Sequence, residues 1–281
     1  MSEGRPIELP LPGLTLRGLA WGPREAPPVL ALHGWLDNAA SFSTLAPRLE
    51  GRQVVALDLP GHGRSDHRAA SASYNFIDWV PDVLLAVDTL GWGRFSLLGH
   101  SMGAGIACLL AGALPERVER LVLIEGFGPL TEAAEAAPAR LARHLVQRGF
   151  GGEPRVMAGR EEAVERMLRA SHGLERSSAE LLAARGTREV EGGVVWAWDP
   201  RLRQSSAIRL TEEQVIAFLS RIEAPVLVVR GVPGWPADEA LLDGRKAAVK
   251  DLTVRELAGG HHLHLDHPEP VAEVVRAHLE R

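Results

Sequence analysis

Gly99-His100-Ser101-Met102-Gly103 follows a short apolar run and precedes a stretch of small and apolar residues. A G-x-S-x-G pattern in that position makes a strand-to-helix turn so tight that its serine takes a strained backbone conformation. Only small residues fit on either side. The hydroxyl then stands above the sheet beside the amino end of the next helix, where main-chain N–H groups stabilise an oxyanion. A free serine hydroxyl is a weak nucleophile and needs a base. The candidate lies in Gly259-Gly260-His261-His262-Leu263-His264-Leu265-Asp266-His267-Pro268. His261 directly follows the two glycines at the end of the last apolar run, so it is read as the general base. His262, His264 and His267 are read as packing, supporting or surface residues. A histidine-rich metal site would need a second acid–histidine cluster elsewhere, and the sequence offers none, so no metal is expected.

The base needs a carboxylate that orients it and stabilises its imidazolium. Two acids compete. Glu125 stands immediately at the end of the apolar run Leu121-Val122-Leu123-Ile124, whereas Asp238 comes several residues after Arg230-Gly231. Glu125 is preferred; Asp238 also reads well as a helix N-cap. His33-Gly34-Trp35-Leu36-Asp37 follows another apolar run, and such a loop presents the main-chain N–H of Trp35 to an oxyanion, partnered by that of Met102. The Trp35 indole would then line the pocket, while His33 shapes the loop. Trp196 and Trp198 line an apolar acyl pocket or pack among their own neighbours. Asp58-Leu59-Pro60-Gly61-His62-Gly63-Arg64-Ser65-Asp66 is glycine-rich but has neither a G-x-G-x-x-G pattern nor a P-loop lysine, so Asp58 and Arg64 are read as scaffolding.

These residues must be held by a frame, and the chain spells one out. Short apolar runs end in polar residues or glycine: Val29–Leu32, Val54–Leu57, Phe95–Leu98, Leu121–Ile124, Val226–Val229 and Leu252–Leu257. They are too short for helices and too apolar for half-exposed strands, so they suit a mostly parallel sheet covered on both faces. Ile7 to Leu19 reads as one or two opening strands. Helices fit at Ala39–Leu49, Ile77–Leu90, Met102–Leu114 and Val271–Leu279. In open α/β sheets the loops at the carboxyl ends of the strands form the active crevice, which is where the polar residues fall. From about Thr131 to Leu219 the strand rhythm stops and Ala, Arg, Glu and Leu recur with helical spacing. The expected organisation is an α/β core over residues 1–128 and 223–281, with a helical cap over 129–222.

The remaining observations set limits. The 281 residues suffice for one α/β domain with an insertion, and 46% hydrophobic against 24% charged residues is a globular composition. Lys and Arg number 31 against 36 Asp and Glu, and a net charge of −5 does not attract phosphate backbones, so no nucleic-acid partner is expected. No stretch approaches the roughly 20 apolar residues of a bilayer span, and MSEGRPIELPLPG does not read as a secretory signal. The single cysteine, Cys108, excludes an intramolecular disulfide and reads as a buried packing residue. A cytoplasmic protein, monomeric or homodimeric, that acts on a small molecule and does not bind membranes is expected.

Together the HGW loop, the DLPGHGRSD turn, the GHSMG elbow and the GGHHLHLDHPEPVA tail resemble the α/β-hydrolase superfamily over almost the whole chain. HGWLDNAASF, RFSLLGHSMG and RGTREVEGGVVWAWDPRL are similar to the pattern of its serine hydrolase-like subgroup. The resemblance implies an eight-stranded sheet, a helical cap, no cofactor and hydrolysis through an acyl-enzyme. It carries over Ser101 as nucleophile, His261 as base, and Trp35 and Met102 as oxyanion donors. Many members place an aspartate after the strand ending near Arg230; some supply the acid one strand earlier, where Glu125 stands. Serine at position 101 departs from the relatives that need an aspartate nucleophile there. The expected activity is cleavage of small to medium carboxylic esters. A carbon–carbon bond or lactone hydrolase with the same three residues, and a catalytically silent binding protein, remain open.

Overall fold

The computed structural model describes residues 3–147, 154–171, 173–235 and 238–281. Strands β1 (Arg5–Leu11) and β2 (Leu14–Trp21) open the chain as an antiparallel hairpin, followed by β3 (Pro28–Leu32) and β4 (Gln53–Asp58). Helix α1 (Trp79–Thr89) leads to β5 (Phe95–His100), and α2 (Met102–Ala113) to β6 (Val118–Ile124). The chain then leaves this sheet. It forms α3 (Ala137–Gln147), α4 (Arg160–Ala170), α5 (Arg176–Gly186), the ribbon β7 (Thr187–Val190) and β8 (Gly193–Trp196), and α6 (Glu212–Leu219). It returns as β9 (Val226–Val232), α7 (Glu239–Ala248), β10 (Leu252–Ala258), α8 (Leu263–Asp266) and α9 (Pro268–Leu279).

Eight strands form one sheet in the order β1-β2-β4-β3-β5-β6-β9-β10. The β1–β2 and β2–β4 pairs are antiparallel and the other five are parallel. Alternate residues of a strand point to opposite faces, and both faces are apolar here. Leu30, Leu32, Leu97, Leu121 and Leu123 pack on one side with Val83, Ile106, Leu110 and Val215 of α1, α2 and α6. Val29, Ala31, Leu98, Val122 and Ile124 pack on the other with Phe42, Leu45 and residues Val271, Val275 and Leu279 of α9. A continuous apolar run therefore marks a strand buried on both sides.

Three local differences from the sequence reading have physical causes. The stretch expected as a helix over Ala39–Leu49 is two 3-10 turns, Ala39–Phe42 and Ala46–Arg48. Asn38 caps the first, and Pro47 in the second has no N–H to donate and disfavours helical geometry in the residue before it. Between β6 and β9 the helices share the segment with the β7–β8 ribbon. Its β-branched Thr187, Val190, Val194 and Val195 flank a two-residue turn closed by Gly192 at φ 83°. Asp238 accepts from the N–H groups of Ala240 and Leu241 and so starts α7, a helix that periodicity did not single out. Residues 148–153 and 172 of the expected cap lie outside the described residues.

The segment between β6 and β9 is tied down over the carboxyl edge of the sheet. The Arg185 guanidinium grips the fully buried Asp58 carboxylate, with Nη2–Oδ2 at 2.8 Å. The same carboxylate accepts the N–H groups of Ala39 and Arg64. Asn38 donates to Leu182 O at 3.0 Å and the Trp35 indole to Leu202 O at 3.1 Å. Asp58 and Arg64 are thus scaffold, and Asp58 also holds the crossing segment.

Candidate active site

Sheet order puts the carboxyl ends of β3, β5, β6, β9 and β10 side by side. The hydrogen-bond ladder runs past the last strand residues into the site: Ser101 N–H donates to Ile124 O, Glu125 N–H to Val229 O, and Gly259 N–H to Val232 O. Ser101 and Glu125 therefore sit on neighbouring strand ends, and the loop of His261 follows two strands further along. Among the described residues, the non-glycine positions with positive φ are Leu36 (63°), Ser101 (51°) and Glu125 (51°). All three follow strands of this edge. Such backbone strain costs about 1–3 kcal/mol each and concentrates at functional sites.

The elbow works because its flanks are bare. A Cβ on Gly99 would meet Ala104 Cα at 2.6 Å, and one on Gly103 would meet Leu32 O at 2.1 Å. Without them α2 sits directly on the end of the sheet. Met102 is the first residue of α2, so its N–H has no acceptor within the helix. Trp35 lies in the turn closed by Asp37 N–H donating to Gly34 O at 3.2 Å. His33 accepts from Leu59 N–H through Nε2 and donates from Nδ1 to Gly34 O, so both its nitrogens are spent on loop shape.

His261 Nδ1 lies 3.2 Å from Glu125 Oε2. A carboxylate only accepts, so Nδ1 carries the proton and Nε2 is left as the acceptor that a base requires. Glu125 also accepts from Gly231 N–H at 2.6 Å through Oε1 and from Trp235 N–H at 2.7 Å through Oε2. Burial raises the Glu125 carboxyl, but the hydrogen bonds from His261, Gly231 and Trp235 outweigh it and hold the group below its ordinary range. Gly234 has to be glycine here, because its Cβ would stand 2.5 Å from Glu125 Oε1. Of the two competing acids, the structure brings Glu125 to His261 and leaves Asp238 capping α7.

Other expected residues fall elsewhere. Trp196 and Trp198 stack on each other with ring centroids 6.1 Å apart, Trp198 against the main core and Trp196 against a cluster around Met157 and Val194. Trp35 and Trp235, by contrast, are 52% and 58% exposed, and the Trp235 ring centre lies 5.0 Å from that of His261. Trp235 was not singled out from sequence; an aromatic beside Pro233 and Gly234 carries no periodic signal. Nor were Asp37 and His100, which the fold brings to His262 from the loop after β3 and the end of β5. His262 Nε2 lies 3.3 Å from Asp37 Oδ2, and His100 Nε2 donates to the His261 carbonyl at 2.8 Å. Burial opposes the charge on both partners of the first pair, yet mutual attraction prevails. The His262 imidazole is raised and the Asp37 carboxyl held well below its usual value.

The chain's relatives share its fold. The family model described as alpha/beta hydrolase fold matches residues 27–181. The serine hydrolase-like protein of Danio rerio is 36% identical, over 98% of this chain and 88% of its own. The crystal structure of a hypothetical protein from Pseudomonas aeruginosa PAO1 is 45% identical and superimposes with a TM-score of 0.92 over 100% of both chains. A thioesterase domain from the curacin biosynthetic pathway is 29% identical, with a TM-score of 0.86 over 98% of this chain and 99% of that one.

Proposed function

The chain belongs to the α/β-hydrolase family and within it to the serine hydrolase-like subgroup, and on that premise we propose that this hydrolase is a serine carboxylesterase for small to medium acyl groups. One observation carries the reading: His261 Nδ1 stands 3.2 Å from Glu125 Oε2 at the end of the strand beside the strained Ser101 elbow. His261 Nε2 takes the proton of Ser101 as Oγ attacks the ester carbonyl. The Trp35 and Met102 N–H groups hold the oxyanion, each worth about 10²–10³-fold in rate. The tetrahedral intermediate collapses, and the leaving alcohol takes the proton from His261. Water, activated by the same histidine, then cleaves the acyl-enzyme. Glu125 remains ionised throughout and balances the imidazolium.

No step in this sequence calls for a cofactor. The exposed Trp35 and Trp235 favour an apolar acyl group at the mouth, with the 129–222 segment as a cap above it and Trp196 and Trp198 stiffening that cap. The likeness to a thioesterase domain supports acyl transfer and extends the leaving group to a thiolate. A small-molecule substrate and a monomeric or homodimeric cytoplasmic protein complete the proposal. The test is turnover of p-nitrophenyl esters from acetate to palmitate, with Ser101→Ala in parallel. Short and medium esters should turn over, and the variant should lose at least about 10⁴-fold while melting as the parent does. A folded Ser101→Ala protein of undiminished activity would remove Ser101 from the mechanism. A parent that neither turns over esters nor reacts with a serine-directed phosphonate would leave a binding protein on a hydrolase fold.

A further inference from the structure

Behind the catalytic histidine lies a second buried constellation that ester cleavage does not use. Asp37 ends the turn after β3, His100 is the last residue of β5, and His262 follows His261. Two ring nitrogens face one carboxylate oxygen: His262 Nε2 is 3.3 Å and His100 Nδ1 3.6 Å from Asp37 Oδ2. All three atoms lie within 4.8 Å of one another. His100 is 1% exposed, and its Nε2–H is committed to the His261 carbonyl. In the neutral ring Nδ1 therefore carries a lone pair. It has no hydrogen-bond partner, and it faces a carboxylate. Two such electron-rich atoms repel, and a proton or a metal ion between them relieves the repulsion.

Two imidazoles and a carboxylate are a donor set that divalent transition-metal ions take. With bonds of about 2.0–2.2 Å, neighbouring donors around a tetrahedral zinc stand roughly 3.3–3.6 Å apart. The observed 3.3 and 3.6 Å match that spacing, and the two imidazole nitrogens, within 4.8 Å of each other, close onto the ion by turning their rings. The outer N–H of His100 on a main-chain carbonyl is the arrangement that orients a metal-binding imidazole and fixes its tautomer. His264, hydrogen-bonded to Ser41 Oγ, packs with its ring centre 4.2 Å from that of His100 and holds it in place.

We propose that Asp37, His100 and His262 form a binding site for a divalent transition-metal ion such as Zn²⁺, and that filling it inhibits catalysis. The His100 and His262 ring centres lie 4.8 and 5.4 Å from that of His261. A doubly charged ion between them opposes the positive charge that His261 gains when it takes the serine proton. This second consequence rests on the hydrolase reading above; the binding itself does not.

Calorimetric titration of chelator-stripped protein with zinc chloride tests the site. One equivalent should bind the parent, and His262→Gln, shown folded by its melting curve, should bind at least tenfold more weakly. His267→Gln, which alters an exposed neighbour, should bind as the parent does. Asp37→Asn serves where His262→Gln does not fold. X-ray absorption of the parent–zinc complex needs no variant and should show two imidazole ligands. Zinc at the lowest concentration that fills the parent site should slow phosphonate labelling of Ser101 about tenfold in the parent and much less in His262→Gln. No saturable binding in the parent, parent-like binding in the folded variants, or a zinc shell without imidazoles would overturn the site. Binding that leaves labelling unchanged would overturn the inhibition. Failure of the parent to label at all, with zinc absent, would count against the hydrolase reading while calorimetry still decides the site.

Discussion

Glu125 accepts three hydrogen bonds, one from His261, one from Gly231 in β9 and one from Trp235 in the loop after it. Glutamine at 125 keeps a single acceptor oxygen and turns an N–H toward one of those donors. Glu125→Gln should therefore lower ester turnover by about 10²–10⁴-fold. It should also cost about 1–3 kcal/mol in urea denaturation, the penalty for leaving a buried donor unmet. The pH dependence has a definite sign. A carboxyl held below its ordinary value stabilises the fold fully above its unfolded pKa of about 4.3, and that contribution is lost as pH falls through the folded value. Urea titrations from pH 7 to pH 3 should show the parent losing its advantage over Glu125→Gln in the acid range; parallel curves would argue that the carboxylate contributes nothing. Trp235 separates main chain from side chain. Trp235→Ala keeps the N–H on Glu125 and removes the indole beside His261, so kcat/KM should fall about tenfold with little change in melting temperature. Equal kcat/KM would mean the indole touches neither substrate nor base.

At the scale of elements, the site is a consequence of register. His100 pairs with Ile124 and Ile124 with Val229, so the residues that follow leave the sheet at one level. Shifting α2 against β3 would displace Met102 and Ser101 together. Gly103→Ala forces that shift, because its Cβ meets the main-chain oxygens of Leu32 and His33 at 2.1 and 2.8 Å. Main chain in a central strand does not yield, so the substitution should cost about 3 kcal/mol by chemical denaturation. A cost under about 1 kcal/mol would mean α2 slides freely. The strands of the large sheet were legible as apolar runs because both their faces are covered. The β7–β8 ribbon and the short α8 were not. Four-residue elements offer no period long enough to read, and their identity comes from the neighbours they meet.

For the molecule as a whole, the segment between β6 and β9 is held to the sheet and its loops by hydrogen bonds and ion pairs, one of them deeply buried. The Arg185–Asp58 pair is buried, and removing Arg185 leaves a carboxylate charge that only main-chain N–H groups compensate. Arg185→Met should destabilise the fold by about 3–5 kcal/mol, read from denaturant midpoints. A loss within experimental error would show that water reaches Asp58 once the guanidinium is gone. No helix among the described residues is long and apolar enough to cross a membrane, and the apolar material instead fills the two layers against the sheet.

By itself the sequence determined the mostly parallel sheet and the tight strand-to-helix turn at Ser101, and it singled out the histidine loop and Glu125, ahead of Asp238, as candidates. Each is a local pattern: an apolar run, a small-residue turn, an acid at a strand's end. Only the tertiary structure decided between Glu125 and Asp238 as the partner of His261. It also placed the Trp235 indole, and it joined Asp37, His100 and His262 into one buried cluster. Those contacts link residues far apart along the chain, and strand order alone sets the distance between them. Spacing in sequence carries no trace of such distances, because a hydrogen bond across the sheet depends on which strand ends stand next to each other.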